Sequence, residues 1–142
     1  MVLFFTCTGG FDPQQPSGGW AARRVAVDAT LEERMTAAML GLLAGPTEEE
    51  RDAGLTSWFS SDTAGMLNDV SIEDGLATID FADFSRIIPN ASTSAGSAML
   101  TSELSTTLYQ FAEIGGFVVQ FDGSCDAFWQ WLQGGCQVIT RG

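Results

Sequence analysis

The stretch LGLLAGPTEEERDAGL, at residues 40–55, decides the fold because it ends one helix and starts another helical turn directly afterwards. Gly45 can adopt the left-handed conformation just past a helix end, and Pro46 prevents the helix from continuing. Thr47 and Glu50 then have the spacing of a capping box, and the three consecutive glutamates suit the positive end of a helix dipole. The stretch therefore predicts a helix, a sharp stop and one acidic helical turn.

The helix before this stop begins at a second capping box. Thr30 can accept a hydrogen bond from the amide of Glu33, whose side chain can reach back to the Thr30 amide. Apolar residues then recur at helical spacing, namely Leu31, Met35, Met39, Leu42 and Leu43. This stripe predicts a helix at residues 31–44 that packs on a core. After the acidic turn, Gly54 and Leu55 lead into an extended segment.

The remaining chain predicts one more long helix and several strands. Residues 67–81 alternate apolar and polar side chains around Asp74 and Gly75, the pattern of a hairpin with a two-residue turn. A second apolar stripe predicts a helix at residues 97–112. Strands are predicted at residues 2–6, 23–27, 117–121 and 137–140, and a loop at residues 7–20. Together these elements predict one α+β domain, in which two helices pack on one face of a mixed or antiparallel sheet of about four strands.

The chain is strongly acidic, with 18 acidic residues against 6 basic ones and a net charge of −12. All the basic residues are arginine, because lysine and histidine are absent. Nucleic acids and anionic lipid surfaces are recognised through clustered basic residues, so this charge argues against both as partners. No apolar run reaches the length of about 18 residues that a membrane span needs, and residues 1–6 lack the features of a signal peptide.

The composition also removes the commonest catalytic chemistry. Without histidine, a serine or cysteine nucleophile has no ordinary base, and without lysine there is no Schiff base or phosphate-binding lysine. Carboxylates remain, and a pair of them can catalyse glycoside hydrolysis. Glu73, Asp74, Asp80 and Asp83 lie near one another in the sequence, and Asp122 and Asp126 flank Cys125. Solvated loops explain these positions, so the sequence predicts no catalytic residue, no cofactor and no metal site.

Three cysteines allow three single-bridge pairings and leave one thiol over. Cys125 and Cys136 flank a short helix-like segment and a double-glycine turn, and closing a loop of about 12 residues contributes roughly 3 kcal/mol. We therefore favour this bridge, which would indicate an oxidising compartment. Cys7 follows the first predicted strand and is expected to be a buried thiol.

The C-terminal tail contains two tryptophans, Trp129 and Trp131. Residues two positions apart do not share one helix face, so in a helical tail one ring is expected to be exposed. An exposed aromatic ring could contact a sugar or a protein partner. The alternative is that both rings pack over the sheet beside the disulfide.

Four segments follow one another in a recognisable order: LLAGPT at residues 42–47 with Glu50, Gly54 and Ser57 after it, VSIEDGLATIDF at 70–81, LSTTLYQF at 104–111 and VVQFDG at 118–123. In this order they resemble the GerMN domain, which is named from a sporulation and spore-germination protein and also occurs in secreted lipoproteins of actinobacteria. The resemblance covers residues 1–123. Residues 124–142 are then expected to form a disulfide-linked extension packed on the same domain.

The resemblance implies a non-catalytic domain of the bacterial cell envelope that is secreted or lipid-anchored, with the signal outside these residues. It also implies a fold similar to ring-building motifs, a partner that is an envelope protein or a second copy, and a role in sporulation, in germination or within a lipoprotein. Two other functions stay open. A small-ligand or cell-wall glycan module would use Trp129 and Trp131, whereas a carboxylate hydrolase would need paired buried carboxylates facing a cleft.

Overall fold

The structure is a computed structural model that describes residues 1–7 and 18–140. The strands of this part are β1 (Val2–Cys7), β2 (Gly18–Ala22), β3 (Leu55–Thr56), β4 (Leu67–Glu73), β5 (Leu76–Phe81), β6 (Gly116–Phe121) and β7 (Ile139–Thr140). The helices are α1 (Leu31–Ala44), α2 (Glu48–Asp52), α3 (Ser94–Leu108) and α4 (Cys125–Trp131), with a short 3-10 helix at Pro89–Ser92. The α+β class is therefore confirmed. Among the helices described here, none has the length and apolar character that crossing a membrane requires.

The strands form two sheets, where the sequence predicted one. The smaller sheet is antiparallel with the order β2-β1-β3, and the larger has the order β4-β5-β6-β7 with a parallel β5–β6 pair. The larger, mixed sheet corresponds to the predicted one. The smaller sheet was missed because β2 has the sequence Gly-Gly-Trp-Ala-Ala, which has little strand propensity of its own.

The second strand also lies earlier than predicted. A strand was expected at residues 23–27, but β2 precedes that segment and pairs along β1. Gly19 in β2 allows close packing, because a Cβ atom there would lie 2.7 Å from Cδ2 of Leu55 in β3. The strand at residues 18–22 therefore forms through its pairing with β1, although its own sequence has little strand propensity. Residues 8–17, most of the predicted loop, lie outside the described residues.

Helix α1 has the boundaries that the sequence predicted. The Thr30 hydroxyl accepts a hydrogen bond from the Glu33 amide at 3.1 Å, and the Glu33 carboxylate accepts one from the Thr30 amide at 3.3 Å. Thr47 and Glu50 form the same reciprocal capping box at the start of α2. The side chains that α1 buries are Met35, Ala38, Met39, Leu42 and Leu43. Both helix starts are therefore fixed by residues within one helical turn of each other.

Gly45 ends α1 in a conformation that differs from the left-handed helical one predicted. Its φ of 77° is positive, but its ψ of 177° is extended, a combination essentially restricted to glycine. The Gly45 amide donates a hydrogen bond to the Leu42 carbonyl at 2.9 Å. A Cβ atom on Gly45 would collide with the backbone carbonyl of Phe59. Packing against a later segment therefore also requires glycine at this turn, which the local sequence does not reveal.

Helix α3 begins and ends earlier than the predicted range of residues 97–112. The Thr93 hydroxyl caps it by accepting a hydrogen bond from the Gly96 amide at 3.0 Å, so the helix starts at Ser94, before the predicted range. A Cβ atom on Gly96 would lie 2.6 Å from the carbonyl oxygen of Asn90. At the other end the helix stops before Phe111, which is nevertheless buried. The apolar stripe therefore predicted the burial of Phe111 correctly, although this residue lies beyond the end of the helix.

The predicted hairpin is confirmed as the β4–β5 pair. Asp74 and Gly75 form its two-residue turn with φ values of 51° and 78°. Positive values at both central positions are what a type I′ turn requires, and this turn type matches the twist of the flanking strands. Glu73 pairs with Leu76 at the base of the turn, and the register shifts between Leu67 and Asp69 at the far end of β4.

Three helices cover the two sheets. Helix α3 packs on β1, α1 packs on both β4 and β1, and α4 packs on β6. One hydrophobic cluster contains buried residues from both sheets, so α1 joins them around a common core. The largest of its fully buried side chains are Phe5, Phe59, Phe81, Phe84, Phe117 and Phe128.

Candidate functional site

The C-terminal tail carries a disulfide and both candidate tryptophans. The structure joins Cys125 to Cys136, with the two Cα atoms 5.3 Å apart. Ser124 caps α4, since its hydroxyl accepts a hydrogen bond from the Ala127 amide at 3.1 Å. Because α4 packs on β6, the bridge fastens the segment after α4 to the start of a helix that is itself docked on the larger sheet.

The two tryptophans have different surroundings, as positions two apart on a short helix require. Trp131 joins a cluster of aromatic rings, with its centroid 5.5 Å from Phe121 and 5.9 Å from Phe84. Trp129 is only 7% exposed and packs edge-on against Phe128, with ring centroids 5.3 Å apart. Neither ring offers a freely exposed face on which a sugar could stack.

A groove of about 440 Å³ lies between α3 and the C-terminal tail. Among the residues that line it are Ser97, Thr101 and Ser105 from α3 and Trp129, Leu132 and Ile139 from the tail. The Thr101 hydroxyl donates to the Ser97 carbonyl at 2.8 Å, and the Ser105 hydroxyl donates to the Thr101 carbonyl at 2.7 Å. In the described part of the chain, no charged side chain lines this groove. It therefore suits a small, uncharged ligand.

A polar seam, defined here as Glu103, Thr107 and Gln110, joins α3 and the residues just after it to the side of β1 that β3 leaves unpaired before Thr6. The three residues have the spacing of one helix face. Phe4 donates its amide to the Thr107 hydroxyl at 2.9 Å, and Val2 donates its amide to the Gln110 side-chain oxygen at 3.1 Å. The Gln110 side-chain nitrogen donates back to the Val2 carbonyl at 2.6 Å. The Gln110 amide thus pairs with β1 as a neighbouring strand would.

Glu103 is the one acidic side chain that is buried within residues 1–7 and 18–140. Its two carboxylate oxygens accept hydrogen bonds from the Thr6 hydroxyl at 2.7 Å and from the Ser57 hydroxyl at 2.5 Å. Burial raises the pKa of Glu103 to about 7, although the two hydrogen bonds favour the charged form. Because no second acid is buried with it in that part, the site does not have the facing carboxylate pair of a glycoside hydrolase.

The residues predicted to shape turns fall into two separate places. Those around α2 are Gly45, Pro46, Thr47 and Gly54. There Arg23 donates two hydrogen bonds to the Glu50 carboxylate, at 2.7 and 2.8 Å, and this pairing lowers the pKa of Glu50 to about 2. The hairpin turn contains the other two, and the Gly75 carbonyl accepts a hydrogen bond from the Gly115 amide at 2.8 Å. The predicted residues in both places therefore have a structural role in turns.

Cys7 differs from the expectation of a buried thiol. It is free and half-buried, and as the last residue of β1 it pairs with Leu55 in the short strand β3. No cluster of three or more acidic or cysteine residues that could hold a metal ion occurs in the part of the chain that the structure describes.

Sequence reasoning missed the polar seam. The signal was present, since Glu103, Thr107 and Gln110 follow one another at helical spacing beside the apolar stripe of α3. Their partners on β1 lie 97 to 108 positions away in the sequence. Without the fold, nothing indicated that this polar face was covered.

The family model Germane, described as sporulation and spore germination, matches residues 3–125. No curated protein matches the chain significantly. The tandem GerMN domains of the sporulation protein GerM from Bacillus subtilis have a similar structure, with a TM-score of 0.65 and 19% identity. That match covers 100% of this chain and 44% of the other, so the chain spans less than half of the tandem structure.

Two further solved structures share the fold. The first GerMN domain of the same GerM protein matches with a TM-score of 0.59 and 19% identity over 87% of this chain and 84% of that one. A structure named "Putative Lipoprotein from Clostridium perfringens" matches with a TM-score of 0.51 and 23% identity, over 87% and 74% of the two chains. The family match spans most of the sequence and confirms the resemblance found in its motifs. The chain therefore belongs to the Germane family of sporulation and spore-germination proteins, and its fold is that of a GerMN domain.

Proposed function

We propose that this domain is a non-catalytic interaction and assembly module of the bacterial cell envelope, with a GerM-like role. The observation that carries the proposal is the open edge of the larger sheet. Strand β4 has seven residues and pairs with β5 on one side, while its other side faces no strand within the described residues. An unpaired strand edge offers a row of backbone donors and acceptors to another chain. The domain thus has a surface suited to binding protein.

An extracytoplasmic setting is part of the proposal. It is supported by the Cys125–Cys136 bridge, since structural disulfides persist mainly in oxidising compartments, and by the name of the Clostridium perfringens relative. Mass spectrometry of an unreduced digest, on protein made under oxidising conditions, should recover the two cysteines in one linked peptide. Recovery of Cys7 joined to either of them, or of all three thiols free, would contradict this part of the proposal.

A crosslinking pull-down tests the interaction. The purified domain is the bait, envelope fractions of the source organism are the sample, and an unrelated acidic protein of similar size is the matched control. We expect an identified envelope protein that the control does not retain, that rebinds the bait when purified, and that is recovered less well at high salt. The salt effect follows because exposed charges are screened within about 8 Å at physiological ionic strength. Absence of any such partner would contradict the proposal.

A second function, binding of a small ligand such as a cell-wall glycan fragment, is favoured by one observation, the groove beside Trp129. Ala98 also lines this groove, so Ala98→Phe should fill it without removing a core side chain. Micromolar binding of a purified peptidoglycan fragment that Ala98→Phe abolishes and Trp131→Ala leaves intact would replace the interaction function with this one. Calorimetric titration measures the affinity of each folded variant for the peptidoglycan fragment.

A further inference from the structure

A second groove, of about 540 Å³, runs between α1 and the open edge of β4. Ala37, Leu40 and Val70 form its apolar part. Leu40 is 42% exposed, although Leu42 and Leu43 of the same helix are buried. A helix beside an open strand edge is the geometry in which extended peptides bind as added strands.

Within residues 1–7 and 18–140, the backbone groups along this edge of β4 are not paired with another strand. Glu73 and Leu76 flank the two-residue turn and exchange hydrogen bonds, and in an antiparallel pair such bonds alternate along the strand. The backbone groups of Ser71 and Asp69 therefore also point at β5, whereas those of Val70 and Ile72 point away from it. In the described part of the chain no strand pairs with this side of β4.

The charge of the groove selects the chemistry of its occupant. Glu32, Glu33 and Asp69 line it, all three are exposed, and no arginine is among the residues that line it. The ion pairs in the described residues use other acids, Glu50 and Glu113. The negative charge at the groove therefore has no cationic partner within that part of the chain, which complements a basic segment.

We infer that the α1–β4 groove binds an extended, basic segment of a protein partner, which adds to β4 as an antiparallel strand. This inference rests on the proposed interaction function and names the binding surface and the partner's chemistry. Residues opposite Val70 and Ile72 would direct aliphatic side chains toward Ala37 and Leu40 of α1. The alternate residues would place arginine or lysine beside Asp69, within the negative field to which Glu32 and Glu33 of the same groove contribute. The preferred segment thus alternates aliphatic and basic residues.

A defined peptide tests this inference. The probe is a blocked peptide of about six alternating arginine and valine residues, the usual length of a strand. In a nuclear magnetic resonance titration of the labelled domain, we expect the amide signals of Val70 and Ile72 to shift and their hydrogen exchange to slow. A peptide with glutamate in place of arginine, and one methylated on its valine amides, should both bind much more weakly. Equal binding of either control peptide would overturn the inference.

Paired charge reversals provide the protein control. Glu32→Lys with Asp69→Lys removes two acids from the groove, and Glu48→Lys with Glu49→Lys makes the same change in net charge on α2. We expect the groove variant to weaken peptide binding about tenfold and the α2 variant to change it little. If both variants bind the peptide equally weakly, the effect depends on net charge alone, and the α1–β4 groove is not the binding site. Shifts of Val70 and Ile72 with protein concentration alone, in step with dimer formation, would assign the groove to a second copy and also overturn it.

The two tests can fail separately. A partner recovered from the envelope that binds the groove variant as well as the parent would keep the proposed function and reject this groove. Peptide binding in the groove without any envelope partner would keep the groove and reject the function.

Discussion

Helices α2 and α3 each present a glutamate to hydrogen-bond donors, and the two carboxylates respond in opposite ways. Glu50 on α2 lies near the surface against the Arg23 guanidinium, which lowers its pKa to about 2. Glu103 on α3 is buried with only hydroxyl donors, and burial raises its pKa to about 7. A guanidinium compensates the charge of Glu50, whereas two hydroxyls do not outweigh the loss of water around Glu103.

These two shifts give opposite dependences of stability on pH. Glu50 has a lowered pKa in the folded state, so its contribution is present above pH 4.5 and is lost as the pH falls toward 2. Glu103 has a raised pKa, so its contribution is present below pH 4.5 and is lost as the pH rises toward 7. The free energy of unfolding should therefore be greatest near pH 4.5, where both contributions are largely present.

Substitution of Gly45 should have the largest effect on the free energy of unfolding. It tests whether the turn between α1 and α2 depends only on residues close to it in the sequence. Gly45→Ala should lower the free energy of unfolding by about 3 kcal/mol or more, because it strains a glycine-only conformation and meets the Phe59 carbonyl. Gly115→Ala is the control, since a Cβ atom there has nothing within 4 Å. Urea denaturation measures both, and equal midpoints would refute the long-range role of Gly45.

Glu103→Gln sharpens the contrast between the two glutamates. In the parent protein, Glu103 should remove about 3 kcal/mol of stability between pH 4.5 and pH 7. The glutamine variant keeps the shape but does not titrate, so its stability should fall less over this interval. Denaturation at a series of pH values gives the two slopes. Identical slopes of stability against pH for parent and variant would show that the pKa of Glu103 is not raised above its ordinary value of 4.5.

Gln110→Ala tests the part of the polar seam that carries no charge. It removes both hydrogen bonds to Val2, so we expect a loss of about 1–2 kcal/mol that does not depend on pH. Gln130→Ala, at an exposed position on α4, is the matched control and should change stability little. Hydrogen exchange of the Val2 amide should accelerate in the first variant. An unchanged exchange rate would mean that Gln110 does not cover the edge of β1.

Arg23→Gln should have the smallest effect, since the pair with Glu50 is partly exposed. We expect a loss of about 1 kcal/mol near neutral pH and a weaker fall in stability between pH 4.5 and pH 2. Arg24→Gln is the control, because Arg24 is the exposed neighbour with the same charge. Thermal melts across this acidic interval compare the two. Matching melts would show that the pair contributes nothing measurable.

The parts of the fold that the sequence predicted correctly depend on contacts between near neighbours. The Thr30 and Thr47 capping boxes and the Asp74-Gly75 turn each involve residues three positions apart or closer. The parts that it missed depend on distant partners. Strand β2 has little propensity of its own and forms through its pairing with β1. The carbonyl of Phe59, from a later segment, lies so close to Gly45 that it leaves no room for a Cβ atom.

The same division applies to the candidate sites. The spacing of Cys125 and Cys136 indicated a short loop, and the structure joins them. The two tryptophans were recognised as residues on different faces, but which of them lines a groove depends on the position of α3. The α1–β4 groove was not anticipated, because Leu40 and Asp69 come from elements whose separation only the packing determines.

The seam between β1 and α3 has a consequence for the order in which the chain is made. Synthesis proceeds from the N-terminus, so Phe4 leaves the ribosome 103 residues before Thr107, the residue that accepts its amide hydrogen bond. During that interval Val-Leu-Phe-Phe-Thr-Cys is an apolar, strand-forming segment with an uncovered edge, the kind that aggregates. A nascent chain of this domain therefore needs its first strand shielded until its second long helix has emerged.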